Sequence, residues 1–377
     1  MAESRDIVVS MPNKMTRRER LHRCYTQQEL DRPAVYSRTW FSVNDHSYDE
    51  FRAYMAEHSE TKQWLFPRRY MKWETPQEYF EPVSPQWRRL VQILHTPAGD
   101  LRRSFMEGLE GQSTYCDMHW LKTREDAERY LSLPPPTFGG PIAEEFAKAQ
   151  AAVGDAGIVE ALLGDNPAGA VAMLFGSETF AMMTITDRDI IHALCQRRME
   201  VLMQLIRYLQ QQGVGPYFDL EGWEYVVPPL HSPADFHEFC VRYDKPVLDL
   251  IHQGGGLLHA HCHGSIRKVF QGFLEVGVDV LHPFEPPPMG DITAKQAKDA
   301  ARGRICLEGN IQIADLYERT PDEIRQQTQA LIADCFDDRR GLIVCPSASP
   351  YMLGQGQVCL PRYKAMVETV LEWKSVS

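Results

Sequence analysis

The stretch best suited to chemistry is Leu257–Gly264, with the sequence Leu-Leu-His-Ala-His-Cys-His-Gly. It places three imidazoles and a thiol, which are metal-binding and proton-transferring groups, within five positions. A triple glycine precedes it and a helical pattern follows it, which is typical of the carboxyl end of a buried strand. Because side chains alternate along a strand, we expect His259, His261 and His263 to share one face. Cys262 should then point the other way, as a small buried apolar side chain.

Two imidazoles two residues apart on one face of a strand can bind a single divalent ion, with further ligands from neighbouring strand ends. We predict that His261 and His263 form this pair. Cys345 and Glu221 are the predicted further ligands. Zinc is the expected metal, because one open position would let it bind a thiol and hold it as the more nucleophilic thiolate. The alternatives are that both histidines hydrogen-bond a carboxylate without metal, and that His259 is a core residue.

Polar residues also follow the other predicted strands. They are Asp219, Glu221 and Glu224, then His282 and Glu285, then Glu308 and Asn310, then Cys345 and Ser347. In a parallel barrel the carboxyl ends of all strands lie on one face, where the following loops build the active site. The sequence therefore predicts a functional cleft at this face.

These strand-end residues divide into two predicted roles. Asp219, Glu221 and Glu285 are candidate general acid–base groups, with polar positioning of a substrate as the alternative. The predicted substrate contacts are His282, Asn310, Arg38 and Trp223. Asn310 follows Gly309, so a left-handed turn residue is an equal alternative for it.

Strands and helices alternate in the second half of the chain. The predicted strands lie at 214–219, 257–261, 278–281, 304–307 and 341–344. Helices are predicted near 265–276, 293–302, 320–336 and 360–374, with Ser232 and Thr320 as N-caps and a longer helix from Thr186 to Gly213. Five consecutive strand–helix units predict parallel strands with right-handed crossovers, in an open sheet or a closed barrel. No glycine-rich phosphate motif follows a strand, which disfavours nucleotide binding.

The region 38–140 is irregular and rich in aromatic residues. It contains Trp40, Trp64, Trp73, Trp87 and Trp120. One interpretation is an excursion that packs its own small core. The other is a lid or wall over a pocket that binds a flat apolar ligand.

The composition narrows the class of protein. The chain has 377 residues, of which 44% are hydrophobic, so it can bury a large core. With 40 basic and 51 acidic residues its net charge is −11, which disfavours nucleic acid and anionic membranes as partners. Nine scattered cysteines and a polar start predict a cytoplasmic protein with reduced thiols, and no apolar run is long enough to predict a transmembrane helix.

At this point the sequence resembles the uroporphyrinogen decarboxylase superfamily, which includes cobalamin-dependent methyltransferases. The matching motifs, in order, are 15–20 continuing to 31–33, Ser232-Pro233 with Phe236, 261–264, 277–281, Gly290-Asp291, 307–311 and 320–324. The resemblance implies a (β/α) TIM barrel over 1–377, with 38–140 as an insertion or lid within it.

The resemblance also bears on function, because the superfamily contains two kinds of enzyme. Decarboxylase members carry an Arg-rich segment ending in Gly-Arg-Tyr, for which only Arg38 could serve here. Methyltransferase members bind zinc through a His-x-Cys pair and a later Cys, and a thiol takes a methyl group from a corrinoid protein. The pair corresponds to His261 and His263, and the later Cys falls near Ser347, two residues from Cys345. This nitrogen-rich set suits a methyl donor with an oxygen or nitrogen leaving group.

We therefore predict a zinc-assisted methyltransferase that moves a methyl group between a small, aromatic or O- or N-methylated substrate or thiol and a corrinoid protein. The chain lacks an Asp-x-His-x-x-Gly corrinoid motif, so a partner protein would supply the cobalamin. The first alternative is a metal-independent decarboxylase or lyase acting on a carboxylated, tetrapyrrole-like or small substrate, with Asp219 or Glu285 as the acid. The second is a non-catalytic module that binds a corrinoid.

Overall fold

The protein was analysed as a computed structural model, which describes residues 15–39, 43–110 and 113–374. Trp40 lies outside the described residues. The strands are β1 (Ala34–Val35), β2 (Thr61–Leu65), β3 (Met71–Lys72), β4 (Gln77–Ser84), β5 (Trp87–Leu94), β6 (Leu101–Gly108), β7 (Tyr115–Met118), β8 (Thr137–Phe138), β9 (Gly157–Asp165), β10 (Tyr217–Glu221), β11 (Leu257–His261), β12 (Val280–His282), β13 (Cys306–Ile311) and β14 (Leu342–Pro346).

The α-helices surround these strands. They are α1 (Arg17–Tyr25), α2 (Asp49–His58), α3 (Arg124–Leu131), α4 (Ile142–Val153), α5 (Pro167–Phe175), α6 (Ser177–Thr186), α7 (Arg188–Gln211), α8 (Pro233–Phe236), α9 (Arg242–Gln253), α10 (Phe270–Val276), α11 (Ala294–Ala301), α12 (Asp315–Glu318), α13 (Pro321–Cys335) and α14 (Gly356–Leu371). Among the described residues no single helix has the length and apolarity of a membrane span, although α5 and α6, which meet at 109°, would meet both criteria together.

Eight parallel strands form one curled sheet in the order β1, β14, β13, β12, β11, β10, β9, β2. Read from β2, the strands follow their order along the chain as far as β14, and β1, the first strand of the chain, lies beside β14, which is the neighbour relation found in a TIM barrel. The two edge strands meet at Glu60. Its N–H donates to Val35 O at 2.9 Å, and its carboxylate accepts from the Val35 N–H at 2.8 Å. The α/β architecture and the barrel-like sheet confirm the coarse prediction of the fold.

The predicted elements of the second half are largely confirmed. Strand β11 has the predicted bounds, and Ser232 and Thr320 cap their helices through complete capping boxes. The predicted helix start at Thr186 is wrong. Thr186 is the last residue of α6 and donates to Met182 O at 3.3 Å, because a threonine hydroxyl can bond back to the carbonyl four residues earlier. Helix α7 begins at Arg188.

Strand β13 is longer than predicted, and this changes where its polar residues lie. Glu308 and Asn310 were expected in a loop after the strand, whereas both lie within β13, whose six residues are all buried. A strand inside a parallel barrel is covered on both faces, so a polar side chain there needs a partner from another strand. The apolar pattern alone ends at Leu307 and gives no sign of such partners.

The aromatic-rich region contains two further sheets that the sequence did not predict. Strands β4 to β7 form an antiparallel meander in chain order, and β3 pairs with β8. The meander carries charged residues on its exposed face, including the cross-strand pair Arg88–Glu107 at 2.8 Å. Because charged residues occupy this face, the apolar pattern that would identify these strands is hard to recognise in the sequence. Whether the region acts as a lid stays a prediction.

Glu60 holds the seam of the barrel, and we predict that Glu60→Ala destabilises the fold strongly. Its fully buried carboxylate accepts from Arg20 at 2.7 Å and from Arg32 at 2.9 Å, in addition to the Val35 N–H. The truncation leaves buried donors without an acceptor, so we expect a loss of about 3–5 kcal/mol in the free energy of unfolding. Urea denaturation measures it.

Glu57→Ala is the matched control, because that side chain lies three residues earlier and is 77% exposed. It should cost less than about 0.5 kcal/mol. Equal losses for the two variants would show that the carboxylate at the seam does not hold the barrel closed.

Candidate functional site at the barrel mouth

The register of the barrel strands brings the predicted polar residues together. Asp219 of β10 is paired with His259 of β11, and His261 is paired with His282 of β12. Asn310 of β13 is paired with Cys345 of β14. Residues paired in register lie side by side on neighbouring strands, so these side chains form two layers inside the carboxyl end of the barrel.

The lower layer is a chain of buried charges. Asp219 accepts from His259 Nδ1 at 3.0 Å, and His259 Nε2 lies 3.6 Å from Glu308. Glu308 binds the Lys62 ammonium group, which lies 3.5 Å from Glu160. All five side chains are at most 2% exposed. Positive and negative groups alternate from one of these five side chains to the next, so each buried charge has an opposite charge beside it.

His259 belongs to this layer as a charged group. Burial and the Lys62 charge lower its pKa, but the carboxylates of Asp219 and Glu308 outweigh them and raise the pKa of His259 to about 9. Its side chain is 2% exposed. The structure therefore places His259 in the core, in agreement with the core alternative.

The upper layer contains two histidines whose hydrogen bonds conflict. Arg38 can only donate, and its guanidinium lies 3.2 Å from His261 Nδ1, so that nitrogen must accept. His282 Nε2 lies 3.0 Å from Pro346 O, so that nitrogen must donate. Burial lowers the pKa of both histidines well below the usual value, and the Arg38 charge adds to this, so both are neutral.

With these assignments two lone pairs face each other. The Nδ1 atoms of His261 and His282 are 2.9 Å apart, and neither carries a proton to share. Such a pair repels unless a cation stands at the two nitrogens. The donor chemistry of the upper layer therefore fits a bound metal better than it fits a hydrogen bond.

A metal-competent group includes the same histidine. Ligand atoms of His282, Glu308 and Cys345 all lie within 4.8 Å of one another, and Cys345 Sγ is 3.8 Å from His282 Nε2. Burial raises the pKa of the Cys345 thiol well above its usual value, against the Lys62 and Arg38 charges that lower it, and coordination to a metal ion would favour the thiolate. Nitrogen, sulfur and carboxylate oxygen are all zinc ligands.

The other two predicted ligands lie nearer the rim. His263 Nδ1 is 3.2 Å from Glu285, and its side chain is 38% exposed. Glu221 lies 3.9 Å from Arg38, which also stacks on the Trp64 ring at 4.9 Å. Of the four predicted ligands, the structure thus brings His261 and Cys345 beside His282, while His263 and Glu221 take charged partners.

The three acid–base candidates have different environments. Burial and the Asp219 charge raise the pKa of Glu221 to about 7. Burial also acts to raise the pKa of Glu285, but hydrogen bonds from His263 and the Gly264 N–H lower it below the usual value. Asp219 is fully buried beneath the rim. Glu221 is therefore the carboxyl group best suited to proton transfer near neutral pH.

Two predicted substrate contacts have internal partners. Asn310 lies within β13 and donates to Phe284 O at 3.2 Å. Its φ is not positive, so the alternative of a left-handed turn residue is wrong. Trp223 is fully buried, and its indole N–H donates to Asp244 at 2.6 Å. The structure places Trp223 in the core behind the mouth.

Sequence reasoning missed Lys62 and Glu160. Strand β2 was not predicted, so Lys62 was not connected with the site. Glu160 was visible as a single charge inside the apolar run 158–163. A lone carboxylate in an apolar strand needs a buried cation, and that signal could have directed the search to Lys62.

The sequence from 159 to 372 matches the family model described as uroporphyrinogen decarboxylase (URO-D). The chain belongs to the uroporphyrinogen decarboxylase family. No curated protein sequence matches it. Among solved structures, a methyltransferase from Methanosarcina mazei has a TM-score of 0.61 at 13% identity, covering 95% of this chain and 99% of that chain. That likeness shows a shared fold.

Two further solved structures are more distant. A B12-independent methionine synthase from Shewanella sp. W3-18-1 has a TM-score of 0.44 at 13% identity, covering 64% of this chain and 70% of that chain. One from Listeria monocytogenes, described as a putative vitamin-B12 independent methionine synthase, has a TM-score of 0.42 at 14% identity, covering 65% and 74%.

Asp244 behind the mouth yields a prediction of pH dependence. Burial raises its pKa to about 8, against hydrogen bonds from Asn166 and Trp223 that lower it. Between about pH 4 and pH 8 the folded protein keeps a proton that the unfolded chain releases. Asp244 thus lowers stability as the pH rises through this range, by up to about 1.4 kcal/mol per unit.

Asp244→Asn removes this term while keeping an oxygen to accept both hydrogen bonds. The difference in unfolding free energy between wild type and variant, measured by urea denaturation at pH 5 and pH 7.5, should therefore shift in favour of the variant at the higher pH. A difference independent of pH would contradict the assignment of a buried neutral carboxyl group.

Proposed function

We propose that the protein is a metal-assisted methyltransferase that moves a methyl group between a small molecule and a corrinoid protein. The observation that carries the proposal is the pair of facing Nδ1 lone pairs of His261 and His282, with the Cys345 thiol beside the second ring. Membership of the uroporphyrinogen decarboxylase family and the fold shared with the Methanosarcina mazei methyltransferase support the same reaction class.

His282 would hold the metal together with one of two partners. Its Nδ1 faces His261 Nδ1. Its Nε2 lies 3.8 Å from Cys345 Sγ, but it would have to give up its hydrogen bond to Pro346 O to bind an ion together with Cys345. One ion uses one nitrogen of a ring, so the partner is either His261 or Cys345. Glu308 lies within reach but already accepts from Lys62. His263 and Glu221, the other two expected ligands, would have to leave Glu285 and Arg38 to join them.

When bound, zinc would supply a Lewis acid for a thiol, alcohol or ether oxygen. The protein's own residues contribute the remaining functions. Arg38 places a positive charge at the mouth, where it can orient an anionic or polar substrate group. Glu221, with a pKa of about 7, can take a proton from an acceptor thiol or return one to a leaving oxygen. The corrinoid would come from a partner protein docked over the mouth.

The metal assignment gives a direct prediction. Purified wild type should contain about one zinc ion per chain, and His282→Gln should contain less than about 0.1, because both arrangements require that ring. Elemental analysis measures the content. Cys262→Ser is the matched control, since Cys262 is a buried thiol next to His261 whose Sγ contacts His263 O at 3.6 Å.

The same proteins distinguish the two arrangements. If Cys345 is the ligand, the cobalt-substituted protein should show intense thiolate charge-transfer absorption that Cys345→Ser removes. If His261 is the ligand, His261→Gln should lose the metal and Cys345→Ser should keep it. Zinc absent from wild type, or fully retained in His282→Gln, would contradict the proposed site.

Methyl transfer itself is tested with free cobalamin. Incubation with cob(I)alamin and a panel of aromatic methyl ethers, methylamines and methanol should convert the corrinoid to methylcob(III)alamin, followed by absorbance. The rate should fall at least about 100-fold in His282→Gln, since loss of a Lewis acid removes several kcal/mol of transition-state stabilisation. Methylcobalamin with a thiol acceptor tests the reverse direction. No transfer with any donor or acceptor, while zinc is bound, would count against the reaction.

A metal-independent lyase acting on a carboxylated substrate is the second candidate. The observation that favours it is the near-neutral pKa of Glu221 beside Arg38, a pairing suited to binding a carboxylate and transferring a proton. Glu221 replaces Asp219 and Glu285 as the proposed acid, because Asp219 is fully buried and the pKa of Glu285 is lowered. Decarboxylation that survives exhaustive chelation and is lost in Glu221→Gln would establish it. Corrinoid binding without turnover would instead indicate a non-catalytic module.

A further inference from the structure

A second pocket, of about 470 Å³, lies beside the barrel mouth. It is bounded by the meander sheet on one side and by helices α3, α5 and α7 on the other. We call it the arginine pocket and define it by Arg68, Trp73, Arg103, Trp120, Asp165 and Arg198. Asp165 ends strand β9 and is paired in register with Glu221, so the pocket adjoins the mouth.

The three guanidinium groups of this pocket lack carboxylate partners. Among the described residues none of them forms a salt bridge, and the one hydrogen bond is from Arg103 to the neutral Gln92 side chain. Desolvation lowers the pKa of Arg68, and the neighbouring Arg198 charge lowers it further. The lining keeps a surplus of positive charge over its two carboxylates, which is unfavourable unless a ligand neutralises it, although the whole chain has a net charge of −11.

The backbone leaves room for one of these groups. A Cβ at Gly164 of β9 would come within 2.8 Å of an Arg68 terminal nitrogen. The absence of a side chain there lets the guanidinium lie against the end of the strand. Two carboxylates also line the pocket, Asp165 on the side of the mouth and the exposed Glu74, so the lining has three positive and two negative charges.

The walls between the charges are aromatic. Arg103 lies over the Trp120 ring at 4.7 Å, and Arg198 lies over the Trp73 ring at 5.7 Å. Stacked guanidinium and indole groups present flat faces with hydrogen-bond donors at their edges. A bare phosphate would fill only a small part of a cavity of this size, which is in the range of pockets for drug-sized ligands.

We propose that the arginine pocket binds a planar organic anion, specifically an aromatic carboxylate. The ring packs against Trp73 and Trp120, and the carboxylate accepts from Arg198 and its neighbours, for which the guanidinium fork is the matching partner. Binding of this kind needs neither a metal nor methyl transfer. It goes beyond the proposed function, and the two can fail separately.

Isothermal titration calorimetry with 2-naphthoate tests the proposal, with naphthalene-2-carboxamide as the neutral analogue and inorganic phosphate as the ringless anion. Wild type should bind naphthoate at least about tenfold more tightly than either. Arg198→Gln should weaken naphthoate binding at least about tenfold and change carboxamide binding little. Trp73→Leu should weaken both aromatic ligands.

Arg69→Gln is the matched control, because Arg69 is next to Arg68 but lies 4.0 Å from Glu145 and is 67% exposed. It should leave naphthoate binding unchanged. Equal affinity for naphthoate and the carboxamide, equal affinity for phosphate, no detectable naphthoate binding, or full binding by Arg198→Gln would each overturn the proposal. Naphthoate binding that persists after chelation separates this site from the metal site of the proposed function.

Discussion

The barrel mouth depends on the ion pair between Lys62 and Glu308. Two unpaired charges buried at this depth would cost many kcal/mol, and neither has access to water. Once the pair is formed, Glu308 can hold His259 in its charged form, and His259 in turn holds Asp219. The upper layer of histidines therefore lies against the alternating charges of the lower layer.

The upper layer gains its chemical character from burial and from Arg38, which lies outside the lower layer. Arg38 and burial keep His261 and His282 neutral, which is the protonation state that metal ligation requires. The contacts of Arg38 with His261 and of Pro346 O with His282 fix the orientation of the two rings. Glu308 belongs to both layers, because it pairs with Lys62 and also lies beside His282 and Cys345 in the metal-competent group. A substitution of Glu308 should therefore change both the stability of the fold and the environment of the metal-competent group.

Much of this architecture could be predicted from the sequence, because alternating strands and helices with strong caps leave few topologies. The polar residues at the ends of β10 to β14 were also visible, and the register brings His261, His282 and Cys345 together as a parallel barrel requires. The lower layer could not be predicted, since its Lys62 comes from a short strand that lacks an apolar pattern. The choice among nitrogen donors could not be predicted either. It depends on Arg38 and on Pro346 O, a side-chain contact and a backbone acceptor that no spacing rule specifies.

The division of the chain by the family match has a consequence for how the molecule is assembled. Residues 159–372 contain the carboxylates Glu160 and Glu308, whereas Lys62, the cation that lies beside both, comes from the part before the match. Taken alone, the matched part would hold a surplus of negative charge in its interior. Strand β2 thus supplies an intramolecular counter-ion through Lys62, while β1 and β2 are joined by the hydrogen bonds between Glu60 and Val35.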